Sequence, residues 1–270
     1  MSGTARAIDH VGIVGAALAP LAETYARLGF HVTSAAHHAG GRTGNHCVML
    51  HGSYLELIAT LPGGTSATLA RFQGRYAGAH VLSLRIDDPQ AAAGRLVAAG
   101  FPVLEPSATD RALDAADPDG PRVGFVLLTP PDPPEGRVHL IRHLTPDVMW
   151  QDRFLDHPNR ARRLAGVEVA VPDPAASAAW FSRLAGRPVV PDPSGGYALP
   201  VDGATLRLLP AAGGFDGPLP WIRTLRLTTD DDNDALLRLL TDRDIPHQRD
   251  GAGVILRQDD LFLRFDPEPA

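Results

Sequence analysis

Lysine is absent from the sequence, and all 25 cationic side chains are arginine. Schiff-base catalysis by lysine and phosphate binding by a P-loop lysine are therefore excluded. The one cysteine, Cys47, allows neither an internal disulfide nor a cysteine-rich zinc site. No apolar run is long enough to cross a bilayer, so a membrane is not an expected partner.

The balance of charge is acidic, with a formal net charge of −6 over 270 residues and no basic stripe. Nucleic acid is therefore not an expected partner either. The first nine residues lack the apolar stretch of a secretory signal, which makes a cytoplasmic location the expectation. With 44% hydrophobic residues, the chain suits a soluble protein of one or two domains, monomeric or homodimeric.

One pattern recurs four times: an extended segment, a helical segment and three short extended runs. The copies open at residues 9–14, 79–84, 167–171 and 222–227. Since one unit is too small to bury its own core, we expect pairs of units to form stable bodies. The sequence thus predicts an α+β fold of four βαβββ modules. They are paired into two curved-sheet, half-barrel domains with helices on the outer faces.

A polar, arginine-rich stretch separates the two pairs of modules and contains Pro146 and Pro158. We therefore predict a first domain over residues 1–145, a linker over 146–164 and a second domain over 165–270. Ten of the 11 histidines lie at or before His157. Any histidine chemistry is therefore expected in the first domain.

Four short motifs carry a family resemblance: DHVGI at 9–13, GF at 29–30, GNHCVML at 44–50 and GSYLELIA at 52–59. In this order, and together with the four modules, they resemble the vicinal-oxygen-chelate superfamily. That superfamily includes glyoxalase I, extradiol dioxygenases and bleomycin-binding proteins. The run at 44–50 is similar to its glyoxalase-like subgroup. The resemblance covers almost the whole chain and implies a cavity inside each curved sheet.

The resemblance also implies a metal site, because the superfamily takes metal ligands from the first and last strands of two paired modules. Carried over to this chain, the implied ligands are His10, Glu56 and His80. For the fourth position, one alignment offers Leu140 or Arg142 and another offers His143, which we favour as a ligand or substrate contact. Modules three and four place Val167 or Gly166, and Arg223, at the histidine position, so no metal is expected there.

Strand alternation supports a polar site in the first domain. Tyr54, Glu56 and Ile58 share one face of their predicted strand, and the two leucines between them share the other. A buried carboxylate is costly unless it is paired or bound to metal. Two imidazoles and one carboxylate suit a divalent first-row ion such as Fe, Mn, Co, Ni or Zn.

Each residue of this set also has a simpler structural explanation. His10 could bond to the backbone, and His80 could lie on the surface. Glu56 could form a buried salt bridge, with partners drawn from Arg42, Arg85 and Arg142. We predict catalytic roles for Glu56 and His143, and substrate contacts for the following residues: Arg42, Asn45, Tyr54 and Arg142.

Three functions compete. The first is a metal-dependent isomerase, lyase or epimerase that moves a proton on a small oxygenated molecule. The second is an Fe(II) extradiol-type dioxygenase, which matches a set of two histidines and one carboxylate. Those dioxygenases usually carry the set in the C-terminal pair of modules, however. The third is a metal-free protein that binds a small molecule, such as an antibiotic, between paired modules.

Overall fold

The computed structural model describes residues 3–131, 137–211, 217–230 and 233–268. In the first half of this described chain, the strands are β1 (Ala7–Val14), β2 (Ala36–His37), β3 (Thr43–Leu50), β4 (Ser53–Thr60), β5 (Gly78–Arg85), β6 (Ser107–Ala112), β7 (Arg122–Leu128) and β8 (Arg137–His143). Its helices are α1 (Leu18–Arg27), α2 (Ala67–Gln73), α3 (Pro89–Ala98) and α4 (Pro146–Met149).

In the second half, the strands are β9 (Ala161–Val171), β10 (Val190–Asp192), β11 (Gly196–Val201), β12 (Ala204–Pro210), β13 (Trp221–Thr229), β14 (His247–Asp250), β15 (Gly253–Gln258) and β16 (Leu261–Pro267). Its helices are α5 (Pro174–Ala185) and α6 (Asp234–Asp242). No helix in the described ranges is long and apolar enough to span a membrane.

Each half folds as one eight-stranded sheet, and the two sheets share one topology. The strand order is β2-β3-β4-β1-β5-β8-β7-β6 in the first and β10-β11-β12-β9-β13-β16-β15-β14 in the second. The opening strands of paired modules meet antiparallel at the centre, β1 with β5 and β9 with β13. The predicted α+β fold of four βαβββ modules in two curved-sheet domains is confirmed.

Local sequence explains where two of the helices start. Asp88 accepts a hydrogen bond from the backbone N–H of Ala91 at 3.0 Å, and Asp173 caps α5 in the same way. A proline follows each aspartate in the first turn, where its missing N–H removes no helical bond. Helix α5 ends at Gly186, whose φ of 60° lies in the left-handed region that glycine adopts without strain.

The two faces of the first sheet have different neighbours. Leu55 and Leu57 are fully buried in the main core, together with Tyr25 of α1. That core continues into the second half, where Phe30 stacks on Phe265 at 6.1 Å. The helix-covered faces of the two sheets therefore pack against each other, and each sheet turns its other face away.

The first sheet curves until its edge strands meet. Strands β2 and β6 are in contact, and the backbone N–H of Ala115 donates to the carbonyl of Ala35 at 2.7 Å. This closure encloses the face opposite α1 and α3, and residues of α2 and α4 line the enclosed space. The predicted linker contains α4, a short 3-10 turn (Asp152–Phe154) and the start of β9 at Ala161. The division of the chain into two domains at this segment stays a prediction.

Candidate active site

The closed first sheet surrounds a cavity of about 300 Å³. Its walls combine apolar and aromatic side chains with a dense set of polar ones. The polar residues that carry ionisable, amide or serine groups are His10, His38, Asn45, Tyr54, Glu56, Ser66, Ser83, Arg111, Arg137, His139 and His143. Glu56 is the one acidic side chain among the described residues that line this cavity.

A hydrogen-bonded chain of three side chains lies in the cavity wall. The imidazole of His10 lies 2.8 Å from Asp9 Oδ1 through Nδ1 and 2.8 Å from Ser83 Oγ through Nε2. Asp9 is fully buried and also accepts from His143 Nε2 at 3.0 Å and from Arg85 Nε at 2.8 Å. Burial alone would raise the pKa of Asp9. The hydrogen bonds from His10 and His143 outweigh that effect and hold the pKa well below its usual range.

The charge on Asp9 fixes the tautomer of His10. An ionised carboxylate only accepts hydrogen bonds, so Nδ1 of His10 carries the proton and donates it to Asp9. Nε2 is then an acceptor, and the hydroxyl of Ser83 donates to it. His10 consequently presents a basic nitrogen on the cavity side, as the imidazole of a Ser-His-Asp triad does.

Glu56 is the second carboxylate beside His10. Its Oε1 accepts from Asn45 Nδ2 at 2.8 Å and pairs with His38 Nε2 at 3.2 Å. Its Oε2 lies 3.9 Å from His10 Nε2. Burial would raise the pKa of Glu56, but the hydrogen bond and charge of His38 lower it far below the ordinary range. The cavity therefore holds an ionised Glu56, and its partners are an amide and an imidazole rather than the arginines suggested by the sequence.

His80 requires a correction, because it is not among the residues that line the cavity and lies instead near the start of β5, against α2. Its Nε2 bonds to the carbonyl of Tyr76 at 2.9 Å, and its ring stacks between Tyr76 and Phe72 at 3.9 and 4.9 Å. Burial lowers the pKa of His80 to about 4, so the ring is neutral at neutral pH. The structure does not bring His80 together with His10 and Glu56.

Two β-bulges explain this placement. Gly12 pairs with Val81 and Ile13 with Ala79, so His80 is an extra residue in β5. Nearby, Ile8 pairs with Leu84 and His10 with Ser83, so Asp9 is an extra residue in β1. A bulge sets two residues of one strand opposite one residue of the other and re-aims their side chains. The register therefore puts Ser83, and not His80, opposite His10.

Two predicted substrate contacts also lie elsewhere. Arg42 is exposed in the turn before β3, outside the cavity. Arg142 is exposed. Its neighbours on β8, Ile141 and His143, both line the cavity, but strand alternation turns the side chain of Arg142 away from it. The remaining predicted contacts, Asn45 and Tyr54, do line the cavity.

His143 also lines the cavity, and its Nε2 contacts Asp9. The ring of Tyr54 stacks on that of His10 at 4.5 Å. Trp150 packs edge-on against His143 at 4.8 Å, which holds that imidazole in place.

Sequence reasoning missed Asp9, Ser83 and Arg111 as site residues. One signal was present for Ser83: the strand at 79–85 alternates imperfectly if His80 faces the cavity, since Ser83 and Arg85 would then face the helix. Placing those two polar residues inside restores the alternation. For Asp9, the sequence motif contains no sign that a bulge would bring it under His10.

The donor set does not fit the predicted three-ligand metal centre. In the described ranges, no group of three or more His, Cys, Asp or Glu side chains is arranged to hold a metal ion. His10 and Glu56 face each other, but both nitrogens of His10 already have protein partners. The neighbouring strand β5 offers Val81 and Ser83 to the cavity where a second histidine is needed.

The comparisons with known proteins agree with this architecture. The family model described as "Glyoxalase-like domain" matches residues 8–185, which is more than half of the chain. No curated protein matches the chain significantly.

A hypothetical protein from Staphylococcus aureus superposes with a TM-score of 0.69 at 13% identity, over 96% of this chain and 98% of that one. A mutant of 4-hydroxymandelate synthase from Streptomyces coelicolor reaches 0.70 at 15% identity, over 98% and 93%.

A third solved structure is a fusion of a xylose isomerase-like TIM barrel with 4-hydroxyphenylpyruvate dioxygenase. It has a TM-score of 0.58 at 13% identity, and this chain matches half of its length. At such identities the solved structures establish the fold alone. The family match, the four modules and the shared fold lead to one conclusion: the chain belongs to the glyoxalase-like domain family of the vicinal-oxygen-chelate superfamily.

Proposed function

We propose that this protein is an enzyme that moves a proton on a small oxygenated molecule bound in the first-sheet cavity. The reaction would be of the isomerase, lyase or epimerase type. The observation that supports this proposal is the chain Asp9–His10–Ser83, with both distances at 2.8 Å. It gives His10 the tautomer and orientation of a general base.

In this proposal, the substrate replaces the Ser83 hydroxyl as the partner of His10 Nε2 and transfers a proton to that nitrogen. Asp9 then stabilises the imidazolium that forms, as the carboxylate of a catalytic triad does. Glu56 Oε2, at 3.9 Å, adds a second negative charge beside the same ring. Return of the proton from His10 to a carbon of the substrate completes an isomerisation or epimerisation. Transfer of the proton to a leaving oxygen, as the bond between that oxygen and carbon breaks, completes an elimination.

Two buried acceptors indicate how a substrate is oriented. Asn45 Oδ1 and His143 Nδ1 have no hydrogen-bond partner among the described residues, although both atoms are buried. A buried polar atom without a partner is costly, so such atoms are favoured when a ligand or water completes them. Both accept hydrogen bonds, which matches a substrate that carries hydroxyl groups.

The divalent metal implied by the superfamily has no role in these steps, because the available donors do not fit a three-ligand centre. The proposed transfer uses only side chains of this chain. Treatment with EDTA should therefore leave the rate of proton exchange unchanged. A loss of tenfold or more that Fe(II), Mn(II), Co(II), Ni(II) or Zn(II) restores would replace this proposal with a metal-dependent one.

The decisive experiment measures exchange of substrate hydrogen with D2O by NMR, on a panel of small hydroxy and keto compounds. His10→Asn should slow exchange by about 10²- to 10⁴-fold, which is the usual contribution of a general base. His37→Asn is the matched control, because His37 is exposed on β2 and lies outside the cavity wall. Binding of panel compounds without any exchange in the wild type would instead identify a metal-free binding protein.

A second candidate function rests on the same contact. Ser83 Oγ lies 2.8 Å from His10 Nε2, which is the geometry of an activated serine nucleophile. However, Ser83 lies in the middle of β5, between two paired strands that engage the neighbouring backbone N–H groups, so an oxyanion hole is lacking there. Covalent labelling of Ser83 by a fluorophosphonate would favour a hydrolase. Exchange of substrate hydrogen with D2O that persists in Ser83→Ala would favour His10 as a general base.

A further inference from the structure

The cavity contains two arginines without an acidic partner. Arg111 of β6 is only 7% exposed, and its Nη1 donates to the carbonyl of Ala112 at 3.1 Å. Arg137 of β8 donates to His139 Nε2 at 2.8 Å and to Thr68 Oγ1 at 3.4 Å. In the described part of the chain, no carboxylate oxygen lies within ion-pair distance of either guanidinium.

Several other arginines of this protein have acidic partners even where they are exposed. Arg122, on the strand next to Arg111, pairs with Asp110, and Arg160 binds Asp230 through two hydrogen bonds. A buried charge is normally tolerated only with a partner, because its desolvation costs several kcal/mol. Among the described residues, Arg111 has a backbone carbonyl and the Cys47 thiol as hydrogen-bond partners but no carboxylate, so it is an exception that calls for a ligand.

The net charge of the cavity supports the same conclusion. Its described lining contains Arg111 and Arg137 against the single carboxylate of Glu56, whose charge already has His38 beside it. Asp9, just behind the wall, is paired with Arg85. The cavity is thus positive inside a chain whose formal net charge is −6. A positive, enclosed cavity concentrates anions.

We infer that the ligand of this cavity is a carboxylate and that the buried guanidinium of Arg111 binds it. This inference rests on the proposed use of the cavity as a substrate site. A carboxylate has the planar pair of oxygens that a guanidinium binds with two parallel hydrogen bonds. Arg111 is 7% exposed and lies opposite Val123 of β7, whereas Arg137 is half-buried and lies beside α2. In this arrangement Arg111 holds the carboxylate, and the remaining part of the ligand lies in the cavity.

Calorimetric titration with benzoate and with its neutral analogue benzamide tests this inference. The aromatic and apolar lining accepts either ring, so the comparison isolates the charge. The wild type should bind benzoate at least about tenfold more tightly than benzamide, as expected for a charge-assisted pair. Equal affinity for the two compounds would overturn the inference, and so would tighter binding of phenylphosphonate than of benzoate.

Variants assign the effect to Arg111. Arg111→Met should remove the preference for benzoate without lowering the melting temperature of the free protein, since it removes an unpaired buried charge. Arg111→Lys keeps the positive charge and serves as the second variant where Arg111→Met fails to fold. It should bind benzoate several-fold less tightly than the wild type because the bidentate contact is lost. Arg137→Met should have a smaller effect than Arg111→Met.

The matched control is Arg142→Met, on the exposed face of β8, which should bind benzoate as the wild type does. Wild-type affinity for benzoate in Arg111→Met or in Arg111→Lys would overturn the assignment. The proposed function is tested separately, by the exchange of substrate hydrogen with D2O. Benzoate binding that depends on Arg111, in a protein that exchanges no hydrogen, would support this inference and overturn the proposed function.

Discussion

The two sheets of this protein share one topology but use their inner faces differently. In the first sheet, β1 presents His10 to a cavity, with Asp9 behind it in a bulge. In the second sheet, the corresponding face of β9 presents Glu168, and the bulge in β13 supplies Arg223, which donates to Glu168 at 3.0 Å. The same backbone device thus aims the Asp9 carboxylate at His10 in one sheet and completes an ion pair in the other.

The difference lies in how charge is balanced. Glu168 is surrounded by arginines at 3.0 to 3.8 Å from three positions: Arg207, Arg223 and Arg226. The inner face of the second sheet is therefore filled by mutually satisfied charges. The cavity of the first sheet keeps imidazoles, guanidinium groups without a carboxylate partner among the described residues, and two orphaned acceptors. Groups that the fold leaves unsatisfied are the ones a ligand can satisfy, so the comparison favours the first sheet as the place where a ligand binds.

The strongest test of this comparison is to neutralise one buried carboxylate in the first sheet. Asp9→Asn should slow proton exchange by about 10²- to 10⁴-fold, because an amide no longer holds His10 in the tautomer with a free Nε2. The measurement is deuterium exchange by NMR, with the melting temperature recorded in parallel. If Asp9→Asn stays folded and exchanges at the wild-type rate, His10 does not act through Asp9.

His80 should affect stability and its pH dependence rather than activity. Its pKa is lowered by burial to about 4 in the folded state, from about 6.5 in the unfolded chain. The stability that it contributes is therefore present above pH 6.5 and lost as the pH falls toward 4. The difference amounts to about 3 kcal/mol in the free energy of unfolding.

The variant that isolates this effect is His80→Phe, which keeps a ring between Phe72 and Tyr76 but cannot be protonated. Urea unfolding at pH 7 and pH 4 should show a smaller loss of stability in the variant. His157, whose pKa burial also lowers, contributes to both proteins alike. A variant with the wild-type pH dependence would contradict the structural role of His80.

In the second sheet, Glu168→Gln should destabilise the protein without slowing exchange. The change leaves three arginines without their shared carboxylate. The expected loss is about 1 to 3 kcal/mol, less than for a fully buried pair because the arginines are 26 to 32% exposed. Chemical denaturation measures the loss of stability, and deuterium exchange by NMR checks that the exchange rate is unchanged. A large loss of exchange in a folded Glu168→Gln protein would mean that the second sheet takes part in catalysis.

The smallest effects are expected at the arginines that the sequence suggested and the structure places outside the cavity. Arg42→Ala and Arg142→Ala should change the free energy of unfolding by no more than about 0.5 kcal/mol, as is usual for exposed positions. Their exchange rates should stay within about twofold of the wild type. A tenfold increase in the apparent KM of either variant would show that the substrate extends beyond the described cavity.

The sequence by itself determined the repeated modules, because each element carries its own local signal. Alternation separates Leu55 and Leu57 from Tyr54 and Glu56 on β4, and this assignment depends only on the period of a strand. The Asp-Pro starts of α3 and α5 are equally local. The uneven distribution of histidines likewise pointed to the first half as the place of any histidine chemistry.

Only the tertiary structure decided which polar groups meet. The bulges at Asp9 and His80 arise from the pairing of β1 with β5, strands separated by more than 60 residues, and they shift the register by one position on each side. His143 and Arg85 reach Asp9 from 134 and 76 residues away. Such contacts depend on long-range strand pairing and on barrel closure. Neither has a local sequence signal, since a bulge changes which side chain faces inward without changing the pattern of residues.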